Sequence, residues 1–211
     1  MDFVRARTEE QISSRQEEII NACDVLFGQY GYEGVNFKAI SALTSFKRPT
    51  IYLYYKTKDE VLLDLLKREM LDWEAALKTE FDAAETLSKE QYCGVFTNTV
   101  APHDKMLRLL AILNTNIEKQ CSLEKITEFK REANGVFEVI WESLDKFFPQ
   151  AGEEKKQFFM PSFLAYIFGF YPLAHPTQKQ IEAMALAGLS YRQLDFKDVY
   201  YRSLLMLLAD F

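Results

Sequence analysis

The 211-residue chain carries 25 Lys and Arg against 31 Asp and Glu, a formal net charge of −6 that argues at first against a nucleic-acid partner. With 48% hydrophobic and 27% charged residues it cannot be a disordered chain, and a packed core is expected. Only 8 Gly and 6 Pro interrupt it, which favours long helices, and the length admits one or two domains of about 100–200 residues.

Cys23, Cys93 and Cys121 are odd in number, widely spaced and never form a CxxC pair. Neither a disulfide framework nor a metal site is expected from them, and their apolar surroundings point to packing in a reducing cytoplasm. The start of the chain, Met1-Asp2-Phe3-Val4-Arg5, lacks the apolar run of about 7–15 residues that a secretory signal needs.

The first predicted helix spans 14–30, with Ile19, Ile20, Cys23, Leu26, Phe27 and Tyr30 spaced by three and four, and Gly31 placed to stop it in a left-handed conformation. Asn36 is a good N-cap for a short helix over 37–43. Thr44-Ser45-Phe46 interrupts the pattern, and a second short helix follows over 47–53, since Pro49 fits only a first helical turn. With Lys47 as its cap, Phe46 and Ile51 take the two positions of a hydrophobic staple.

Thr57-Lys58-Asp59-Glu60 reads as a capping box before a long helix over 59–81, whose apolar positions are Leu62, Leu65, Leu66, Met70, Trp73, Leu77 and Phe81. Such a helix can join two parts of a protein as a strut. Further helices are predicted over 88–100, 103–114, 122–148, 153–174, 177–187 and 195–209, with no strand-like alternation and no internal repeat. The fold class is all-α, with domains of 1–60 and 61–211.

The two short helices and their three-residue turn form a candidate helix-turn-helix. Between residues 34 and 58 lie Lys38, Lys47, Arg48, Lys56 and Lys58 and no acidic residue, a local charge of +5 inside a chain of −6. Phosphate binding needs such a concentration, because releasing condensed counterions supplies most non-specific affinity. The hydroxyls of Tyr52, Tyr54 and Tyr55 can donate to phosphates, with Asn36 and Thr50 offering small polar groups at helix starts. Base reading falls to the start of the second short helix. There Arg48 can pair with a guanine edge, Lys47 can donate to guanine and Thr50 can touch a thymine methyl.

These residues also carry a resemblance. Residues 15–66 resemble the N-terminal domain of the TetR family of bacterial transcription regulators. In that family, Ile-Ala-x-x-Ala-Gly-Val-Ser-x-Gly-Thr-Leu-Tyr-x-Tyr/His-Phe-x-Ser/Asn-Lys-Glu-x-Leu spans the second to fourth helices. Here the segment reads Ile40-Ser41-Ala42-Leu43-Thr44-Ser45-Phe46-Lys47-Arg48-Pro49-Thr50-Ile51-Tyr52-Leu53-Tyr54-Tyr55-Lys56-Thr57-Lys58-Asp59-Glu60-Val61, preceded by Phe27-Gly28-Gln29-Tyr30-Gly31-Tyr32 for the family's Phe-x-x-x-Gly-Tyr/Phe. The resemblance implies that Tyr52 and Tyr54 hold the DNA backbone and that Lys58 meets a phosphate at the fourth helix's N-terminus. It also implies that Asn36 replaces a capping threonine. Ser45 stands where the family has Gly, so a left-handed turn there would cost roughly 1 kcal/mol, and Lys47 and Pro49 replace the usual Ser and Gly.

The resemblance further implies a homodimer on double-stranded palindromic operator DNA, a repressor released by a small-molecule effector, with no cofactor and no membrane. The charge-free stretch 157–178 is long enough for a bilayer but is interrupted by Pro161, Gly169, Pro172 and Pro176, and reads instead as a buried helix or an interface. Dimer contacts are expected from Phe163, Ile167, Phe170, Tyr171, Tyr200, Leu204 and Leu208. Effector contacts are expected from Trp73, Phe96, Met106, Leu110, Asn114, Phe137, Trp141 and Phe168, a set with so few charges that it suits an apolar or aromatic compound. Two other classes compete. A helical protein–protein adaptor would be indifferent to salt. An enzyme is disfavoured because His103 and His175, the only histidines, lie in no catalytic or metal-binding motif.

Overall fold

The computed structural model describes residues 8–211, so the leaderless start expected from Met1 to Arg5 lies outside the described residues. Every regular element among them is helical. In chain order these are α1 (Glu9–Gly34), α2 (Phe37–Ala42), α3 (Arg48–Ile51), α4 (Lys58–Ala83), α5 (Lys89–Val100) and α6 (Asp104–Ile112), then a π-helical turn (Leu113–Ile117). After it come α7 (Glu118–Gln120), α8 (Leu123–Glu132), α9 (Gly135–Phe147), α10 (Glu153–Ala174), α11 (Gln178–Leu186) and α12 (Phe196–Leu207). The chain divides into two compact units. The first holds residues 8–68 and Leu113–Glu132, the second Glu69–Ile112 and Ala133–Phe211. Residues 113–132, which a boundary at 60/61 leaves with the second domain, thus pack with the first.

In the first unit, Thr8 caps α1 by accepting from the Gln11 N–H at 3.3 Å, and Ile19, Ala22, Cys23, Leu26 and Phe27 form its buried stripe. Gly31 interrupts the helix with φ 67° and ψ −165°. The positive φ matches expectation, but ψ places Gly31 outside the left-handed helical well, in a region that only glycine occupies at ease. Asn36 caps α2 through the Ala39 N–H at 3.0 Å. Lys47 precedes α3 without a side-chain cap, and α3 closes at Ile51 rather than 53. The Ile51 carbonyl takes the N–H groups of both Tyr54 and Tyr55 at 3.0 Å, a tight end that follows from the shortness of the helix.

The turn between α2 and α3 corrects one expectation. No non-glycine residue among those described has positive φ, so Ser45 is not left-handed. Its hydroxyl donates to Glu18 Oε2 at 3.0 Å and its N–H to the other carboxylate oxygen, which ties the turn to α1. The capping box also departs in detail. The Glu60 N–H reaches Thr57 Oγ1 at 3.2 Å, but the Glu60 carboxylate accepts from the Lys56 N–H at 2.7 Å, one residue before its expected partner.

The single helix expected over 122–148 is two, α8 and α9, separated at Ala133-Asn134. The apolar spacing runs on across the break, but the halves serve different cores: Phe129 is buried in the first unit, Val136, Ile140 and Leu144 in the second. Gly135 also lies so close to Glu74 that a Cβ would fall 2.5 Å from its carboxylate.

The second unit is built on rings. Trp73 stacks on Phe163 at 6.3 Å, Phe96 meets Phe163 at 5.2 Å and Phe81 at 5.6 Å, and Tyr92 meets Phe96 at 5.1 Å. Helices α5, α6, α10 and α12 enclose this cluster, with α10 against α6 and α12, and α12 against α5. Burial divides the expected dimer contacts. Phe163, Ile167, Tyr200, Leu204 and Leu208 are all inside this core at 1% exposure or less, while Phe170 and Tyr171 are half-buried. The exposed apolar face of α10 is a different one, Phe158, Pro161, Ala165 and Pro172, spaced for one side of a helix. No helix among the described residues is long and apolar enough to cross a membrane.

Replacing Ser45 by Gly removes a hydroxyl bonded to Glu18 and frees the unfolded backbone, each a loss of about 0.5–1 kcal/mol. The thermal midpoint of Ser45→Gly is therefore expected to fall by a few degrees; a rise would restore the left-handed turn.

Candidate nucleic-acid interface

α2, the turn and α3 present one exposed basic surface. Asn36, Lys38, Lys47, Arg48, Tyr52 and Lys56 are exposed, Tyr54 and Lys58 are half-buried, and Thr50 is only 6% exposed. Thr50 therefore cannot lay its methyl on a base. The reason is local: with Pro49 in the first turn, the four-residue helix turns Thr50 and Ile51 inward and leaves Lys47, Arg48 and Pro49 outside.

Arg48 is prearranged. One of its guanidinium nitrogens donates to Tyr52 Oη at 2.6 Å while the guanidinium carbon sits 5.4 Å from the Tyr52 ring centre. Phe37 props that ring edge-on at 4.9 Å. Because Tyr52 accepts from Arg48, its own O–H proton stays available to a phosphate oxygen, and the other guanidinium N–H groups stay available to a guanine edge.

Lys58 is held from beneath, its ammonium 3.0 Å from the Tyr32 carbonyl and 3.8 Å from the Tyr32 ring centre. One N–H is thus used, and the remaining two can meet an anion at the start of α4. Tyr32 gives its own proton to Asp59 at 2.8 Å. Burial raises the Asp59 carboxyl above its ordinary value, opposed by the Tyr32 hydroxyl and then by Lys58.

Behind this surface sit two buried carboxylates of α4. Glu60, 4% exposed, accepts from the Lys56 N–H and, at 3.3 Å, from the Ser122 N–H. Asp64, also 4% exposed, takes the Tyr55 hydroxyl at 2.8 Å and ion pairs from Lys125 at 2.8 Å and Lys67 at 3.3 Å. Tyr55 is thereby removed from the phosphate-binding set. Lys67 goes on to Glu132 at 2.7 Å, and Arg68 fixes α1 through Asp24 and Asn21 at 2.6 Å each. The surface is thus supported by a polar layer that includes residues 113–132.

Pro49 and Leu53 are also on this surface, where charge alone does not mark them. Leu53 is 62% exposed, beside Tyr52 at 48%. The signal was there in the inward spacing of Ile51 and Tyr55, which forces the residues between them outward. The role of Glu60 and Asp64 had no sequence signal, because Ser122 and Lys125 are some sixty residues away.

The expected effector residues fall into three groups. Trp73, Phe96, Met106 and Leu110 are buried core, with the Trp73 indole N–H on Thr99 Oγ1 at 3.2 Å. Phe137, Trp141 and Phe168 are half-buried. Asn114 is exposed in the π-helical turn, which belongs to the first unit, whereas the other seven belong to the second. His103 is 18% exposed at its side chain, 3.7 Å from Glu69, whose carboxyl that contact holds below its ordinary value. His175 is exposed. Burial pushes the Cys23 and Cys93 thiols up to about 12, where they are inert.

Two family models cover almost all of the chain. One, described as bacterial regulatory proteins of the tetR family, matches residues 19–65, and one described as a tetracyclin repressor-like C-terminal domain matches residues 67–209. No curated protein sequence matches. Among solved structures, the fatty acid degradation regulator FadR from Bacillus halodurans is similar over 98% of both chains, with 17% identity and a TM-score of 0.57. A TetR/AcrR-family regulator from Thermobifida fusca aligns over 94% of this chain and 98% of its own, at 16% identity and TM-score 0.61. Thermus thermophilus FadR, a repressor solved with lauroyl-CoA, aligns over 92% and 93%, at 16% identity and TM-score 0.58. Identities this low speak for the fold alone.

The raised Asp59 carboxyl gives a pH prediction. A carboxyl whose folded pKa exceeds its unfolded value of about 3.9 adds stability below that value and loses it as pH rises through the folded pKa. Asp59→Asn keeps an acceptor for Tyr32 and removes the buried charge. Its midpoint is expected to gain on wild type as pH rises from 4 to 7; a gap independent of pH would show that Asp59 ionises without penalty.

Proposed function

The chain belongs to the tetR family of bacterial regulatory proteins, and from that membership we propose that it is a ligand-responsive repressor that binds a palindromic operator as a homodimer. The observation that carries the DNA-binding part is the exposed set Lys38, Lys47, Arg48, Tyr52 and Lys56, with Arg48 already oriented on Tyr52. Arg48 reads a base edge, Lys47 and Pro49 flank it, and Tyr52, Lys56 and Lys58 hold phosphates. Leu53 takes over the apolar contact with thymine methyls that the burial of Thr50 rules out.

The dimer uses the exposed side of α10, Phe158, Pro161, Ala165 and Pro172, together with Met206 of α12, which is 74% exposed. Apolar residues so arrayed favour a partner surface over water. A two-fold dimer of this kind sets its reading helices about 34–36 Å apart, one turn of DNA. The effector is a small apolar or aromatic compound taken by the second unit. Ligand binding changes the setting of α4, which contributes residues to both units, and so releases the operator; the ligand must favour one state energetically to do so. The protein acts in the cytoplasm.

Gel-shift binding to the DNA flanking its own gene tests the core of this reading. A complex that weakens steeply with salt is expected, with Arg48→Ala losing about 1–3 kcal/mol of sequence discrimination and Tyr52→Phe weakening binding less. A chain that forms no salt-sensitive complex is instead a protein-binding adaptor. In dilute solution the mass is expected to be that of a dimer and Phe158→Asp that of a monomer; a monomeric wild type removes the dimer.

A further inference from the structure

Tyr200 of α12 has none of its surface exposed, and its hydroxyl has no hydrogen-bond partner among the described residues. This is not the habit of the protein. Tyr55 gives its proton to Asp64 at 2.8 Å, and Tyr92, as fully buried as Tyr200, meets Ser143 Oγ at 2.7 Å. A phenol left unpaired in an apolar interior costs free energy that Phe in the same place would not. The hydroxyl is a donor waiting for an acceptor. Burial raises its pKa well above the usual phenol value, so it remains a neutral O–H.

The rings around it suggest how an acceptor arrives. Phe196, one turn earlier on α12, lies parallel to Tyr200 at 5.5 Å and 10°, and Phe163 of α10 lies at 6.4 Å. Phe196 is half-buried, and its ring continues outward to Tyr171 at 6.3 Å and to the exposed His175 at 6.4 Å, the last two stacked at 4.2 Å. A line of aromatic groups therefore runs from the surface to the ring that carries the orphaned hydroxyl.

Phe196 is also the first residue of α12, and the residues from 189 to 195 before it have no regular structure. Such a position has an N–H outside the helical ladder and swings out at little cost. The facing helix, α10, contains Pro161 and Pro172, each of which deletes one helical hydrogen bond on either side of Phe163 and Ile167. Both walls can give.

We propose that the second unit holds a site for a small, neutral, planar aromatic compound bearing a carbonyl oxygen, whose ring replaces that of Phe196 against Tyr200 and whose oxygen accepts the Tyr200 hydroxyl. The site rests on the reading of this unit as the ligand-sensing one. The vacated space is that of one phenyl ring, which sets the ligand's size. Neutrality follows from the complete burial of the hydroxyl, where a charged group would lose its hydration without a paired counter-charge. The acceptor is recognised because only it satisfies the donor, the kind of polar match that discriminates far better than an added methylene.

Calorimetry on the full chain with acetophenone and with its isostere α-methylstyrene, in which a CH2 replaces the carbonyl oxygen, tests the site. Wild type is expected to prefer acetophenone by about tenfold, roughly one hydrogen bond's worth. Tyr200→Phe should bind the two alike and, without ligand, melt no lower than wild type. Phe196→Ala should bind both more tightly. The proposal is overturned if wild type shows no saturable binding of acetophenone, if Tyr200→Phe keeps the preference, or if Tyr200→Phe melts lower. A gel shift separates this from the broader reading. Acetophenone bound without release of DNA leaves the site standing and the effector mechanism refuted, while release by other compounds without acetophenone binding does the reverse.

Discussion

Glu60 and Asp64 are each costly to bury alone, and each is stabilised by being the meeting point of segments far apart in the chain. Glu60 joins the Lys56 N–H, at the exit of the reading surface, to the Ser122 N–H; Asp64 joins the Tyr55 hydroxyl to Lys125. Removing Glu60 would strand two backbone donors; removing Asp64 would strand the Tyr55 hydroxyl and leave Lys67 and Lys125 with one carboxylate each. The exposed basic surface owes its shape to this layer, since Tyr55 turns inward to Asp64 while Tyr52 and Leu53 turn out.

The local elements of the fold were legible because their causes are local. Asn36, Ser88, Thr177 and Asp195 cap the helices that their types announce, and of the two positive-φ glycines Gly31 breaks α1 three residues before its end while Gly188 follows the end of α11. The basic run from Lys38 to Lys58 was visible as charge alone. What escaped was set by tertiary partners. Ser45 is explained by Glu18 of α1, the α8–α9 break by two cores drawing on one apolar pattern, and the inward Thr50 by the shortness of α3. The stretch around Phe163 is apolar enough for an interface or a core, and periodicity cannot choose between them; the ring contacts with Trp73 and Phe96 do.

The net charge of −6 also divides. Residues 1–58 hold eight basic and seven acidic side chains, and 59–211 hold 17 and 24. In the first unit several of the acidic groups are occupied: Glu18 by Ser45, Asp24 by Arg68, Asp59 by Tyr32 and Asp64 by two lysines. The carboxylates therefore serve as internal supports, and the basic groups that remain outside set the field a polyanion would meet.

The assignment of residues 113–132 to the first unit has an implication for how such proteins can be recombined. The chain passes between units three times, after Arg68, after Ile112 and after Glu132. A reading head cut at the end of the N-terminal family match would leave Ser122 and Lys125 behind. Glu60 would then lose one of its N–H donors, and Asp64 both of its lysines, because Lys67 too lies beyond that cut. Grafting this head onto another sensor, or exchanging heads between relatives, is consequently a matter of transplanting two segments together.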